Sequence, residues 1–278
     1  ATSAAWRRSA ILTGMNPQSQ LRLAGWLRRV RPASLAARLK RWLRLDRIEF
    51  TGPQGTFWVD PASNFGARIL RGEAYEPEMT AALQRLWRRG GTFLDIGANE
   101  GYFSVLAQQA QGETGRIVAV EPQSRLQEVL RRNLDANGAS SAQIAKLAVA
   151  DQEGSAEIHL FPDMNTGASG LARATKYAIP TETVRVTTLA ALLDEHGLDE
   201  VDVAKVDIES FEYELLWAAT DLLLNRRVRA FVVEVHPPLL EQRGLALSDL
   251  KDHVEACGYQ WQEVGHELIL LQPQRGAE

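Results

Sequence analysis

Between residues 92 and 256, short apolar runs alternate with longer stretches of helical periodicity. The runs predict strands at 92–96, 116–121, 143–149, 201–206 and 230–235, and the stretches predict helices near 102–111, 124–137, 187–196, 211–224 and 239–256. Alternation of this kind builds an α/β fold, a Rossmann-like doubly wound and mostly parallel sheet with helices on both faces. Segments 259–263 and 267–271, around Val264-Gly265-His266, predict a C-terminal antiparallel hairpin. Residues 150–186 interrupt the alternation, with strands at 155–161 and 182–186 flanking a polar loop, 163–170, whose length suits a substrate lid.

Ahead of this region, 47–59 predicts a hairpin turned by Gly52-Pro53-Gln54-Gly55, and Glu76-Pro77-Glu78 opens a helix expected to run to Arg88-Arg89 before Gly90-Gly91. Segment 18–45 has two apolar helical stripes divided by Pro32: Leu23, Trp26, Leu27 and Val30, then Leu35, Leu39, Trp42 and Leu43. Three parts follow: a basic amphipathic arm (1–47), a small β-hairpin appendage (48–72) and the main domain (73–278).

Charge sharpens the division. The 278 residues carry 31 Lys and Arg against 35 Asp and Glu. Residues 1–47 hold eleven basic side chains and one acid, a net +10, which leaves −14 on the remainder. The arm can meet an anionic surface or substrate, or form a packed helical cap with a solvated basic face. The body's acidity argues against nucleic acid. With 45% hydrophobic and 24% charged residues the chain is of globular type. One cysteine, Cys257, permits no internal disulfide. No run approaches the ~18 apolar residues of a membrane span, and Arg and Gln interrupt any signal-like core. A chain without an initiator Met is expected to be trimmed. The expected location is the cytoplasm, with the arm able to make the protein peripheral to a membrane.

The chemistry concentrates at strand ends. In Phe93-Leu94-Asp95-Ile96-Gly97-Ala98-Asn99-Glu100-Gly101-Tyr102-Phe103 a strand ends in an acid, a glycine turn follows and a helix starts near Gly101. This sets a helix N-terminus at the carboxyl edge of the sheet, where nucleotide-like ligands bind. The G-x-G-x-x-G pattern is missing, and Asp95 would repel a pyrophosphate while suiting an ammonium group. About 24 residues past Gly97, Glu121 ends the next strand, where a carboxylate accepts from both ribose hydroxyls. An adenosine with a cationic amino-acid tail meets both conditions, and S-adenosylmethionine is that molecule. A carboxylate ending a buried strand is costly without a ligand or donor, which favours functional roles for Asp95 and Glu121. Asp207, Glu209, Glu234 and His236 end the next two strands and can converge on the same edge. His236, Glu209 or Asp207 is then the candidate base for a hydroxyl. The cluster can alternatively hold a divalent metal, a reading not favoured because no tight ligand motif is present. Structural alternatives are that Glu234 caps a strand and His236 fixes the turn before Pro237-Pro238. His159, His196, His253 and His266 read as structural or surface residues.

These motifs resemble the FkbM-type O-methyltransferases, a family of class I S-adenosylmethionine-dependent methyltransferases, over about residues 73–263. The resemblance rests on Tyr75-Glu76-Pro77-Glu78, Leu94–Tyr102, Val120-Glu121-Pro122, Arg132-Asn133-Leu134 with Asn137-Gly138, Ala148-Val149-Ala150-Asp151, Asn165-Thr166-Gly167, Val186-Thr187-Thr188-Leu189, Lys205-Val206-Asp207-Ile208-Glu209-Ser210-Phe211-Glu212 and Glu234-Val235-His236-Pro237. It implies that Asp95, Gly97, Asn99 and Gly101 surround the methionine moiety, Glu121 holds the ribose, and Ala148 and Asp151 lie near the adenine. It adds Glu76 and Asp207 to the cofactor positions and makes Lys205, Asp207 and Glu209 face the transferred methyl group. Ser210 departs from the family, which usually has glycine there. The implied activity is methylation of a hydroxyl on a sugar, polyketide or similar small-molecule or glycan acceptor. The alternatives are an RNA methyltransferase using the arm and a non-catalytic S-adenosylmethionine-binding module.

Overall fold

The computed structural model describes Gly25 and residues 47–161 and 180–274. The paired helices expected in 18–45 and the loop expected at 163–170 lie outside the described residues. The chain divides into two compact units, with the boundary between Tyr75 and Glu76.

In the first unit, β1 (Ile48–Gly52) and β2 (Gly55–Val59) form the expected hairpin, in register from Ile48 opposite Val59 to Gly52 opposite Gly55. A short helix, α1 (Asn64–Leu70), follows that apolar periodicity did not indicate. Its signal was the cap: Ser63 Oγ accepts the Gly66 N–H at 2.8 Å and donates to the Asp60 carbonyl at 2.9 Å. Phe65 packs edge-on against both Phe57 and Tyr75, giving this unit an aromatic centre.

The second unit begins with α2 (Pro77–Gln84), shorter than expected. The chain leaves the helix there and Trp87 packs edge-on against Phe93, with ring centroids 5.4 Å apart. Next come β3 (Thr92–Ile96), α3 (Tyr102–Gln111), β4 (Arg116–Val120), α4 (Ser124–Ala136), β5 (Gln143–Ala145), β6 (Ala148–Ala150), β7 (Gly154–His159), β8 (Thr181–Thr188) and α5 (Leu189–Glu195). The remainder is β9 (Val203–Val206), α6 (Glu212–Ala218), α7 (Thr220–Leu224), β10 (Phe231–Glu234), α8 (Pro237–Gln242), α9 (Leu247–Ala256), β11 (Tyr259–Gly265) and β12 (Leu268–Pro273).

Seven strands make one sheet in the order β11-β12-β10-β9-β3-β4-β5. The five from β10 to β5 are parallel, and β12 and β11 complete the sheet antiparallel. The fold is therefore an α/β Rossmann-like mixed sheet with a C-terminal hairpin. The chain runs outward from β3 through β4 to β5, then returns to place β9 on the other side of β3. That reversal opens a crevice at the carboxyl ends of β3 and β9. Apolar side chains of these strands, including Leu94, Ile96, Val118, Val206 and Val233, pack with Leu192, Leu193, Leu215, Leu216, Leu223 and Val254 in one core.

Three expected elements are divided. The single strand at 143–149 is β5 and β6, which belong to different sheets, β6 joining β8 and β7. The ladder stops because the Glu121 N–H makes the last bond, to the Ala145 carbonyl, and the next amide on that side, of Gln123, turns back to Glu121 Oε1. The helix at 211–224 breaks at Ala219 into α6 and α7. The helix at 239–256 starts earlier, at Pro237, and is interrupted after Gln242 before α9 resumes at Leu247.

Tyr259, fully buried at the start of β11, donates its hydroxyl to the Val228 carbonyl. Tyr259→Phe keeps the ring and removes the donor. It is expected to lower unfolding free energy by about 1 kcal/mol, read as a lower urea midpoint with an unchanged slope.

Candidate active site

The turn after β3 is built by what will not fit beside it. Gly97 has φ +81°, and a Cβ there would lie 1.9 Å from the Asp207 carbonyl oxygen, so only glycine lets β3 and β9 close together. The Gly97 and Ala98 N–H groups both donate to the Val120 carbonyl. Gly101, the N-cap of α3, has φ +85° and would press a Cβ against Leu130 Cδ1 at 2.6 Å. Between them Asn99 is left-handed, with φ 50°, and this aims its N–H at Glu121 Oε2, 2.9 Å away.

Three buried titratable groups occupy the crevice. Asp95 is 0% exposed; its Oδ2 accepts from Ser104 Oγ at 2.6 Å, while its Oδ1 has no hydrogen-bond partner among the described residues. Lys205, 1% exposed, donates to the Gly97 carbonyl at 2.7 Å and lies 3.7 Å from Asp95 Oδ1 and 3.4 Å from Asp207 Oδ2. Burial raises Asp95 above the usual carboxylate range, against the opposing pull of Lys205. For Lys205 burial works downward, but Asp207, Asp95, Glu76 and Glu234 outweigh it and hold the ammonium above its ordinary value. Burial also pushes Glu121 up to about 7, despite N–H bonds from Gln123 to Oε1 and Asn99 to Oε2.

A second cluster lies at the ends of β9 and β10. Glu209 and Ser210 are both left-handed, with φ 56° and 84°, a conformation costing non-glycine residues roughly 1–3 kcal/mol each. Glu212, at the start of α6 and 1% exposed, steadies that turn: its Oε1 accepts N–H bonds from Ile208 at 3.0 Å and Ser210 at 3.2 Å. The same oxygen takes His236 Nδ1 at 3.1 Å, and His236 Nε2 lies 3.7 Å from Glu209 Oε2. Burial lowers the His236 pKa, but Glu212, Asp207 and Glu209 together push it up to about 9. Burial with Asp207 and Glu76 pushes Glu234 up to about 8. Arg243 donates to the Ser210 carbonyl at 2.6 Å and to Ser210 Oγ at 3.2 Å, and it pairs with Glu214.

The fold thus gathers Asp95, Lys205, Asp207, Glu76 and Glu234 at one edge, joins Gly97, Asn99 and Gly101 to Glu121, and sets Glu209 beside His236. Glu76 is the left-handed N-cap of α2. Ala148 is buried on β6, off the main sheet, and the exposed Asp151 follows that strand. His236 is also the N-cap of α8, its carbonyl accepting from Leu239 and Leu240. The histidines outside the cluster include His253, stacked on Trp217, and His196, bonded to Gln143. Sequence reasoning missed Glu212, Ser104 and Arg243 as parts of the site. Glu212 carried a faint signal, an acid in the first turn of a helix after a strand end, which reads equally as a helix-dipole partner.

Chemically, the first cluster suits a cation that also carries hydroxyls. Asp95 presents an unused buried oxygen, and each Glu121 oxygen keeps a lone pair beyond its one backbone bond. These residues fit S-adenosylmethionine. Potential metal-ligand atoms lie within 4.8 Å of one another in two triplets, Asp207–Glu212–His236 and Glu76–Asp207–Glu234. In the first triplet His236 Nδ1 and Glu212 are already bonded to each other.

Two outcomes follow from this geometry. Ser210→Ala keeps the left-handed strain and loses only the Oγ contact to Arg243, whereas Ser210→Gly loses that contact and the strain. Ser210→Gly is expected to unfold at a higher urea concentration than Ser210→Ala, by about 1 kcal/mol. Asp95, Glu121, Glu234 and His236 all bind protons more tightly folded than unfolded. Each therefore withdraws stability as pH rises, the carboxyls above the usual carboxylate range and His236 from the ordinary imidazole value to about 9. The cofactor-free protein is expected to melt at a lower temperature at pH 9 than at pH 6.

No curated protein matches the chain. Among solved structures it is similar to TrmN from Thermus thermophilus, at 16% identity and TM-score 0.42, covering 78% of this chain and 55% of that one. The chain thus spans little more than half the length of the Thermus protein. A putative rRNA-methylase from Clostridium thermocellum aligns at 11% identity and TM-score 0.46, over 71% of this chain and 94% of that one. Fibrillarin from Aeropyrum pernix, in complex with natively bound S-adenosyl-L-methionine, aligns at 13% identity and TM-score 0.38, over 75% and 74%. The model of the methyltransferase FkbM domain matches residues 95–261, more than half of the chain. The chain belongs to the FkbM methyltransferase family and is an S-adenosylmethionine-dependent methyltransferase.

Proposed function

We propose that this enzyme methylates oxygen, transferring the group to a hydroxyl of a sugar, polyketide or similar metabolite. The observation that carries the reading is the acid–base unit at the sheet edge: His236 held through Nδ1 by buried Glu212, with Nε2 beside Glu209. A hydroxyl is a poor nucleophile until its proton is taken, so a methyltransferase for oxygen needs such a unit within reach of the donor. When bound, S-adenosylmethionine supplies an electrophilic methyl group on a positively charged sulfur.

Asp95, Gly97, Asn99 and Gly101 would hold its amino-acid portion, Glu121 its ribose hydroxyls, and Ala148 and Asp151 its adenine end. Glu76 and Asp207 contribute negative charge beside it. Lys205 secures the Gly97 turn through the carbonyl bond and balances Asp95 and Asp207. His236 Nε2 receives the acceptor's proton, and Glu209 beside it stabilises the imidazolium so formed. Hydrogen bonding between His236 and Glu212 makes a metal-free route the simpler one. Charge alone supports a further role for residues 1–47 in meeting an anionic acceptor or surface.

Asp95→Ala and Glu121→Ala are expected to weaken S-adenosylhomocysteine binding about tenfold or more in calorimetry, the scale of a lost charged hydrogen bond. Only neutral imidazole accepts a proton, so the rate should climb with pH toward about 9, and His236→Gln should abolish that climb. Incubation with methyl-labelled cofactor and fractionated extract should place label on hydroxyl groups of glycans or small molecules, with or without chelator. Label confined to RNA would overturn the reading.

A further inference from the structure

We infer that Glu212 is a positioning residue for methyl transfer, whose single carboxylate fixes both the strained 208–210 turn and the His236 imidazole so that Glu209 and Nε2 face each other. The inference rests on the proposed role of His236 and names what makes that role available. Four observations support it. Glu212 is 1% exposed on the first turn of α6, behind the cluster. Its Oε1 accepts from the N–H groups of Ile208 and Ser210, which flank Glu209 on either side. Glu209 and Ser210 hold left-handed conformations that a free loop would abandon. The same oxygen bonds His236 Nδ1 at 3.1 Å.

The last contact decides the tautomer. An oxygen already accepting from two amides offers the imidazole only an acceptor, so the Nδ1 position carries the proton and Nε2 is the nitrogen that gains or loses one. Glu212 Oε2 is buried with no hydrogen-bond partner among the described residues, so this carboxylate is committed through one oxygen. The groups facing His236 are Asp207 and Glu209 after β9, Glu212 on α6 and Glu234 on its own strand. The nearby Arg243 is engaged by Glu214 and Ser210.

Glu212→Gln separates the positioning role from a structural one. The amide oxygen can still accept from Ile208, Ser210 and Nδ1, while the negative charge is gone. Histidine-labelled protein, free of cofactor and acceptor, is titrated by NMR with His236 assigned through His236→Gln. The expected result is a His236 midpoint about one pH unit or more lower in Glu212→Gln, with S-adenosylhomocysteine affinity kept within about twofold of the native protein. A midpoint that does not move overturns the inference. Should Glu212→Gln fail to fold, the nitrogen shifts of neutral His236 in the native protein decide: a proton on Nδ1 supports the inference and one on Nε2 overturns it. No acceptor enters these measurements. Failure to find hydroxyl methylation would therefore leave them standing, and an unmoved midpoint would leave the acceptor class to the labelling experiment.

Discussion

The site depends on one buried ammonium. Lys205 reaches from the middle of the sheet to the carbonyl of Gly97 and lies between Asp95 and Asp207, joining the ends of β3 and β9 where the chain reverses. A lone charge in that setting would be prohibitive, as would two carboxylates with no cation. Together they are tolerable, and each constrains the others. Gly97 must be glycine because the turn Lys205 holds lies against Asp207, and Asp95 accepts from Ser104 on one oxygen while the other faces the Lys205 ammonium. The geometry of the candidate site is thus a by-product of satisfying charges that the fold has buried.

Beside this rigid centre lies a more strained one. The 208–210 turn keeps two side-chain-bearing residues in left-handed conformations, and Arg243 and Glu212 restrain it from opposite ends by bonding its carbonyl and amide groups. The Ser210 hydroxyl adds a further contact to Arg243. Restraint of this kind lets Glu209 approach His236 without a long tether. The acidic surroundings also explain why the imidazole holds its proton so firmly: four carboxyl groups face it.

Much of this was legible in the sequence. The mostly parallel sheet and its C-terminal hairpin followed from alternation, and Asp95 and Glu121 stood out because strand ends of a doubly wound sheet face its crevice. What stayed hidden was set by partners far along the chain. The break between β5 and β6 depends on the Gln123 N–H, more than twenty residues earlier, turning back to Glu121 instead of extending the ladder, and on β8 supplying a new neighbour. Helix α1 was concealed because seven residues offer too few turns for a periodic stripe, leaving only the Ser63 cap as a sign. Lys205 read as a group facing the reaction, with no sign in the sequence that its ammonium also bonds the Gly97 carbonyl. No local pattern reveals which backbone atom a long side chain will reach. Glu212 was obscure for a similar reason, since a carboxylate opening a helix looks the same whether it faces water or His236.

The antiparallel insertion of β12 between β10 and β11 bears on the order in which the molecule is assembled. During synthesis β10 emerges with β9 on one flank and nothing on the other until residues 268–273 leave the ribosome, the final strand of the described chain. Val235, one residue before His236, donates its N–H to Glu267 in the turn that delivers this strand. The backbone beneath His236 is therefore secured last, and β10 keeps an open edge until that strand arrives. A nascent chain can acquire the Gly97 crevice well before it acquires a settled His236, so the two halves of the proposed site form at different chain lengths.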